Sequence, residues 1–117
     1  MSGAMIDASA RIESGAAIGR DVSIGPFCTI GPHVTIGDGA VIGGAAAIHQ
    51  FVRIGRGAMV GGVSGVEADV IPFGSVIGNR AHLAGLNVIG LRRRGVGRAR
   101  LLRLRAAVRE LFWGEGV

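Results

Sequence analysis

At 117 residues the chain has room for one domain and not for two sizeable ones. A hydrophobic fraction of 49% and a mean hydropathy of +0.48 exclude a compositionally disordered segment. Twenty-two glycines without a three-residue period exclude collagen. The net charge of +5 belongs to the tail: nine of the thirteen arginines lie from Arg80 onward, whereas residues before Arg80 include only four. Such a tail can meet RNA, a membrane surface or an acidic protein.

From the N-terminus, no basic region followed by an apolar run marks a signal peptide, and no apolar stretch reaches the roughly 20 residues of a membrane span. The single cysteine, Cys28, cannot form a disulfide within the chain. These features predict a cytoplasmic protein in a reducing compartment.

Stepping by six from Ile6 gives Ile12, Ile18, Ile24, Ile30, Ile36, Ile42, Ile48, Ile54, Val60 and Val66, all β-branched and aliphatic. Glycine follows directly at positions 19, 25, 31, 37, 43, 55 and 61. A second series, four residues after each, runs from Ala10 and Ala16 through Cys28 and Ser64 to Val70, and every member is small or medium-sized. Neither a helical nor a two-residue period produces a strict six. The period predicts a three-sided parallel coil with one hexad per side, the larger aliphatic pointing into a narrow prism. Glycine then marks places where the backbone turns or approaches another segment. Eleven hexads amount to about four coils, a prism roughly 18 Å tall at strand spacing. In this frame Cys28 and Ser64 are inward core residues, not nucleophiles.

The next two steps land on Pro72 and Gly78, which predicts that the prism ends near Val70. Residues 71–97 read as an irregular connecting arm. From Arg98 to Trp113, Leu101, Leu104, Val108, Leu111 and Phe112 recur at helical spacing, with Leu102 and Trp113 widening the apolar face. The expected organisation is therefore a β-helix over 1–70, an arm over 71–97 and a helical segment over 98–117. A lone helix of this length is marginal and calls for packing against the coil or a neighbouring subunit. The three-arginine run and basic helix leave RNA or an anionic headgroup open as ligands, but no nucleic-acid module is recognisable. Three dispersed histidines (His33, His49, His82) and one inward cysteine do not make a metal site.

Several strings go beyond the generic hexad. Ile24-Gly25-Pro26-Phe27-Cys28, Ile30-Gly31-Pro32-His33-Val34, Ile48-His49-Gln50-Phe51, Val60-Gly61-Gly62-Val63-Ser64-Gly65-Val66 and the stretch from Gly78-Asn79-Arg80 to Arg92-Arg93-Arg94-Gly95 resemble the UDP-N-acetylglucosamine acyltransferases of lipid A biosynthesis. The resemblance implies an all-β, left-handed parallel β-helix with a C-terminal amphipathic α-helix, assembled as a homotrimer. It implies transfer of a 3-hydroxyacyl group from acyl carrier protein to the 3-hydroxyl of UDP-N-acetylglucosamine, with a histidine as general base and no cofactor.

Carried over residue by residue, the resemblance places His49 in the substrate pocket and Asn87 at the acyl-chain hydroxyl. Arg93 and Arg94 fall at the nucleotide and carrier-protein end, where paired guanidiniums suit phosphate. His33 falls on an outer face and His82 in the arm. Two departures stand out. Ile89 occupies a place where the family has glutamate. The family's Ala-His-Asp string, which carries the catalytic histidine, does not occur in this chain. The sequence passes from early to late coils around Val41–Gly44 without losing the six-residue phase, and the helical domain stops at Val117. The catalytic residue is therefore unassigned, with His49 as a surrogate candidate. The expectation is an acyltransferase with impaired turnover; the alternative is a fragment of one, or a non-catalytic trimeric scaffold or partner subunit.

Overall fold

The computed structural model describes residues 3–87, 91 and 95–113. Eleven two-residue strands follow one another at each hexad: β1 (Met5–Ile6), β2 (Arg11–Ile12), β3 (Ala17–Ile18), β4 (Ser23–Ile24), β5 (Thr29–Ile30), β6 (Thr35–Ile36), β7 (Val41–Ile42), β8 (Ala47–Ile48), β9 (Arg53–Ile54), β10 (Met59–Val60) and β11 (Gly65–Val66). They form three parallel walls. The first runs β1-β4-β7-β10, the second β2-β5-β8-β11 and the third β3-β6-β9. The molecule is a parallel β-solenoid of about four turns, and its hexapeptide repeats fit a left-handed β-helix. That hand is an exception to the right-handed crossover rule.

In each strand the second residue points inward and the first outward, as the period-two pleat requires. Ile24, Ile30, Ile36, Ile42, Ile54, Val60 and Val66 are buried, and Val22, Cys28, Val34, Ala40, Ala46, Ala58 and Ser64 fill the smaller places between them. Ile6, Ile12 and Ile18 are only partly buried because no coil precedes theirs in the described chain. The Cys28 thiol donates to the Gly43 carbonyl at 3.0 Å, and the Ser64 hydroxyl accepts the Gly78 N–H at 3.1 Å. Both polar side chains are thus satisfied inside the prism.

The turns divide two tasks that the sequence left merged. The left-handed backbone lies at the third residue after each inward isoleucine, and most of these places are not glycine: Asp21, Phe27, His33, Ala45, Phe51 and Val63 all have φ near +60°. Each such conformation costs on the order of 1 kcal/mol or more, offset by corner bonds such as Val63 N–H to the Gly44 carbonyl at 2.8 Å. The glycines directly after isoleucine serve close approach instead. A Cβ on Gly25, Gly37 or Gly43 would lie 2.8, 2.5 or 2.6 Å from a backbone nitrogen of the next coil.

The expectation that regular structure stops near Val70 meets a different chain path. Ile6, Ile24, Ile42 and Val60 pair in succession at eighteen-residue steps. Val60, however, pairs with Val76, and Ile54 bridges to Val70, both at a step of sixteen. The hexad resumes two residues early, so Val70 and Val76 take the inward places where strict counting reached Pro72 and Gly78. The stretch expected to be irregular therefore adds β12 (Gly74–Ile77) to the first wall, followed by antiparallel β13 (His82–Leu86). The helix expected from Arg98 to Trp113 is present as α1 (Arg98–Trp113) and meets β13. Leu101 is buried, whereas Leu102 and Leu104 are exposed, so Leu104 does not join the packed face. The side chains of Val108, Leu111, Phe112 and Trp113 lie outside the described residues.

Candidate functional site

His49 follows β8 directly and leaves the second wall toward the corner that precedes the third. Its N–H donates to the Val66 carbonyl at 2.9 Å, which fixes the backbone, while its imidazole is exposed. Wall register puts Glu13, Gly31, His49 and Glu67 in one column. Gly31 offers no side chain beside the imidazole, and Glu67 on the other side lies 3.7 Å from Arg80 Nε. Gln50, the next residue, is also exposed. Phe51 then occupies the corner itself, its ring stacked on His33 at 5.1 Å and 12°. The exposed outer-face place expected for His33 is where it lies, although its partnership with Phe51 was not foreseen.

Asn87 sits elsewhere. Its backbone N–H donates to the Phe73 carbonyl at 2.6 Å and its side-chain Nδ2 to the Gly57 carbonyl at 2.8 Å. Gly57 and Phe73 belong to the corner between the third and first walls, so a single chain does not bring Asn87 and His49 together. Arg93, Arg94 and Ile89 lie outside the described residues, as does the side chain of His82.

One contact of this region was invisible to periodicity. The Asp69 carboxylate receives the Arg53 N–H at 2.8 Å and its Nε at 2.9 Å, closing the short fourth coil. These two hydrogen bonds hold the Asp69 carboxyl below the usual carboxylate range. Restarting the hexad count at Val70 would have exposed the shortened crossing. Among the described residues no group of three or more His, Cys, Asp and Glu could hold a metal ion, and no helix is long and apolar enough to cross a membrane.

Chemically, the single chain offers an exposed imidazole and amide beside an aromatic corner. Such a surface binds, but within one chain it lacks a second group placed to complete acid–base chemistry.

Comparison with known proteins sets this geometry in context. Residues 10–50 match the bacterial transferase hexapeptide family, and residues 69–116 match the second domain of UDP-N-acetylglucosamine O-acyltransferase. The acyl-carrier-protein–UDP-N-acetylglucosamine O-acyltransferase of Brucella anthropi is 60% identical over 67 residues, 57% of this chain and 24% of that protein. Its namesake in Rhizobium leguminosarum is 44% identical over 73 residues, 62% of this chain and 27% of that protein. The solved UDP-N-acetylglucosamine acyltransferase of Campylobacter jejuni superimposes with a TM-score of 0.90 at 37% identity, over 95% of this chain and 44% of that one. The chain is a hexapeptide-repeat relative of the UDP-N-acetylglucosamine O-acyltransferases. The solenoid itself is shared more widely: a serine acetyltransferase of Neisseria gonorrhoeae, 32% identical, reaches a TM-score of 0.71 over 74% of this chain and 37% of that one. The aligned stretches take in about a quarter of the length of the two curated relatives.

Proposed function

We propose that the chain is built for the acyl transfer named for its relatives, from an acyl carrier protein to UDP-N-acetylglucosamine in lipid A biosynthesis, with turnover impaired. The observation that carries this reading is the 60% identity over 67 residues to the Brucella anthropi enzyme. In this reading the protein is a cytoplasmic homotrimer, and subunit contact brings together residues that one chain keeps apart. His49 contacts substrate, Asn87 meets the acyl chain, and Arg93 and Arg94 serve the nucleotide and carrier-protein end. Turnover is impaired because the Ala-His-Asp string is missing, which leaves His49 as the sole surrogate base. A loss of central coils in whole hexads is compatible with the wall register, which runs unbroken across the joint as Ser23 pairs Val41 and Ile24 pairs Ile42.

The same missing string favours a second reading, a trimeric scaffold or partner subunit that binds without turning over. The test is transfer of a 3-hydroxyacyl group from its carrier protein to UDP-N-acetylglucosamine by the purified chain, beside a His49→Ala control. Slow transfer abolished by the substitution supports the first reading. A folded trimer with neither transfer nor binding of either substrate leaves the second.

A further inference from the structure

The corner between the second and third walls is a short column of rings. Gly15, His33 and Phe51 occupy it in successive coils, each with a left-handed backbone. A Cβ on Gly15 would collide with the His33 imidazole, so that ring lies over the glycine of the coil before it. Phe51 in turn lies on His33. Each ring of this corner therefore leans toward the preceding coil and is ready to be covered by a residue of the next.

The next coil supplies no such residue. Its crossing from Val66 to Val70 is two residues short, and none of Glu67, Ala68 and Asp69 has a positive φ. The Asp69 side chain is drawn away onto Arg53. The column thus ends on a bare aromatic face, and Phe51 is 66% exposed. The gap is one coil high, about 4.8 Å, close to the 5.1 Å that separates the two stacked rings. Exposed His49, Gln50 and Glu67 border it with hydrogen-bond donors and acceptors.

We infer that the open face of Phe51 is a stacking seat for a planar nucleobase, with the His49–Gln50 edge reading its heteroatoms. A gap one ring thick selects for flatness, and a polar border selects for a heterocycle over a plain hydrocarbon ring. The inference rests on the proposed function in one respect: of the two substrates in that reading, the nucleotide sugar brings a base.

The test uses the full chain and uridine 5′-monophosphate, followed by calorimetry and by the proton resonances of the uracil ring. The expected result is upfield shifts of the uracil protons and binding weakened on the order of tenfold in Phe51→Leu. Phe51→Tyr, which keeps the ring, should retain affinity. Phe27→Leu, at an equally exposed corner without a ring column, should leave it unchanged, and thermal midpoints check that each variant is folded. No binding by the folded chain, or equal affinity in Phe51→Leu, overturns the seat. So does a Phe51→Leu change confined to oligomeric state, which would make this face a subunit contact. The two readings separate cleanly. Binding of UDP-N-acetylglucosamine that ignores Phe51 sinks the seat alone. Base binding that depends on Phe51, without any gain from the attached sugar, supports the seat and sinks the substrate reading.

Discussion

The Asp69 carboxylate stands in for a backbone carbonyl toward Arg53. One coil earlier, the Thr35 N–H donates to the Val52 carbonyl at 3.1 Å; the Arg53 N–H instead finds Asp69 Oδ1 at 2.8 Å. A shortened crossing left the wall one acceptor short, and an acidic side chain at a sixteen-residue separation supplies it.

Removing that carboxylate should therefore loosen the fourth coil. Asp69→Ala orphans the Arg53 N–H and should lower the thermal midpoint more than Asp69→Asn, which keeps an amide oxygen for it. The charge has its own signature. Because the folded carboxyl titrates below its ordinary value of about 3.9, its contribution is present above that value and is lost as pH falls through the folded pKa. Midpoints of wild type and Asp69→Asn should stay separated by a constant gap above about pH 5 and converge below about pH 4. A gap that ignores pH would mean the charge contributes nothing.

Adjacent glycines should respond in opposite ways. A Cβ on Gly43 would stand 2.6 Å from the Gly62 nitrogen, whereas on Gly44 the nearest atom is a ring carbon of Pro26 at 3.5 Å. Gly43→Ala must push two coils apart and should cost about 1–3 kcal/mol. Gly44→Ala makes ordinary contact and should fall within about 0.5 kcal/mol of wild type. Denaturant unfolding of the pair measures the difference directly, and equal losses would discredit close approach as the reason for glycine after each isoleucine.

The inward place of Cys28 makes a similar claim about volume. The side chain is 1% exposed and belongs to the series of small residues. Cys28→Val keeps size and should cost less than about 1.5 kcal/mol, while Cys28→Leu overfills the prism and should cost about 1–3 kcal/mol. A thiol reagent should label the native chain only as fast as it opens, and labelling at the rate of a free thiol would contradict the burial.

The six-residue period made the prism legible because wall register and core volume both repeat with it, and Ile24, Ile42 and Val60 stack as counted. The corners were not legible. A left-handed place filled by Asp21, Phe27, His33, Ala45 or Val63 has no common side chain to read, while the visible glycines answered a different constraint. The two-residue slip was hidden because Val70 fits the small series as well as the large one. Of the site, the exposure of His49 and His33 followed from the period. The Phe51 column depended on which coils end up adjacent, and the engagement of Asn87 on Gly57 depended on a hairpin that no periodic signal announced.

That engagement gives the last prediction. Gly57 is buried, and its carbonyl receives Asn87 Nδ2 at 2.8 Å, so the side chain ties the end of β13 to the prism. Asn87→Ala leaves that carbonyl short of its donor and should cost about 1–3 kcal/mol. Asn87→Asp sets a carboxylate against a carbonyl at the same place and should cost at least as much near neutral pH, easing as acid restores a donor. Hydrogen exchange should show the loss around Phe73 and Leu86 and not in the early coils, because the bond joins only the last turn to the hairpin. If both variants match wild type in stability, the amide is free for a ligand and the clip is incidental. If they are destabilised as expected, any effect of Asn87 variants on acyl transfer must first be corrected for the fraction folded before it counts as substrate contact.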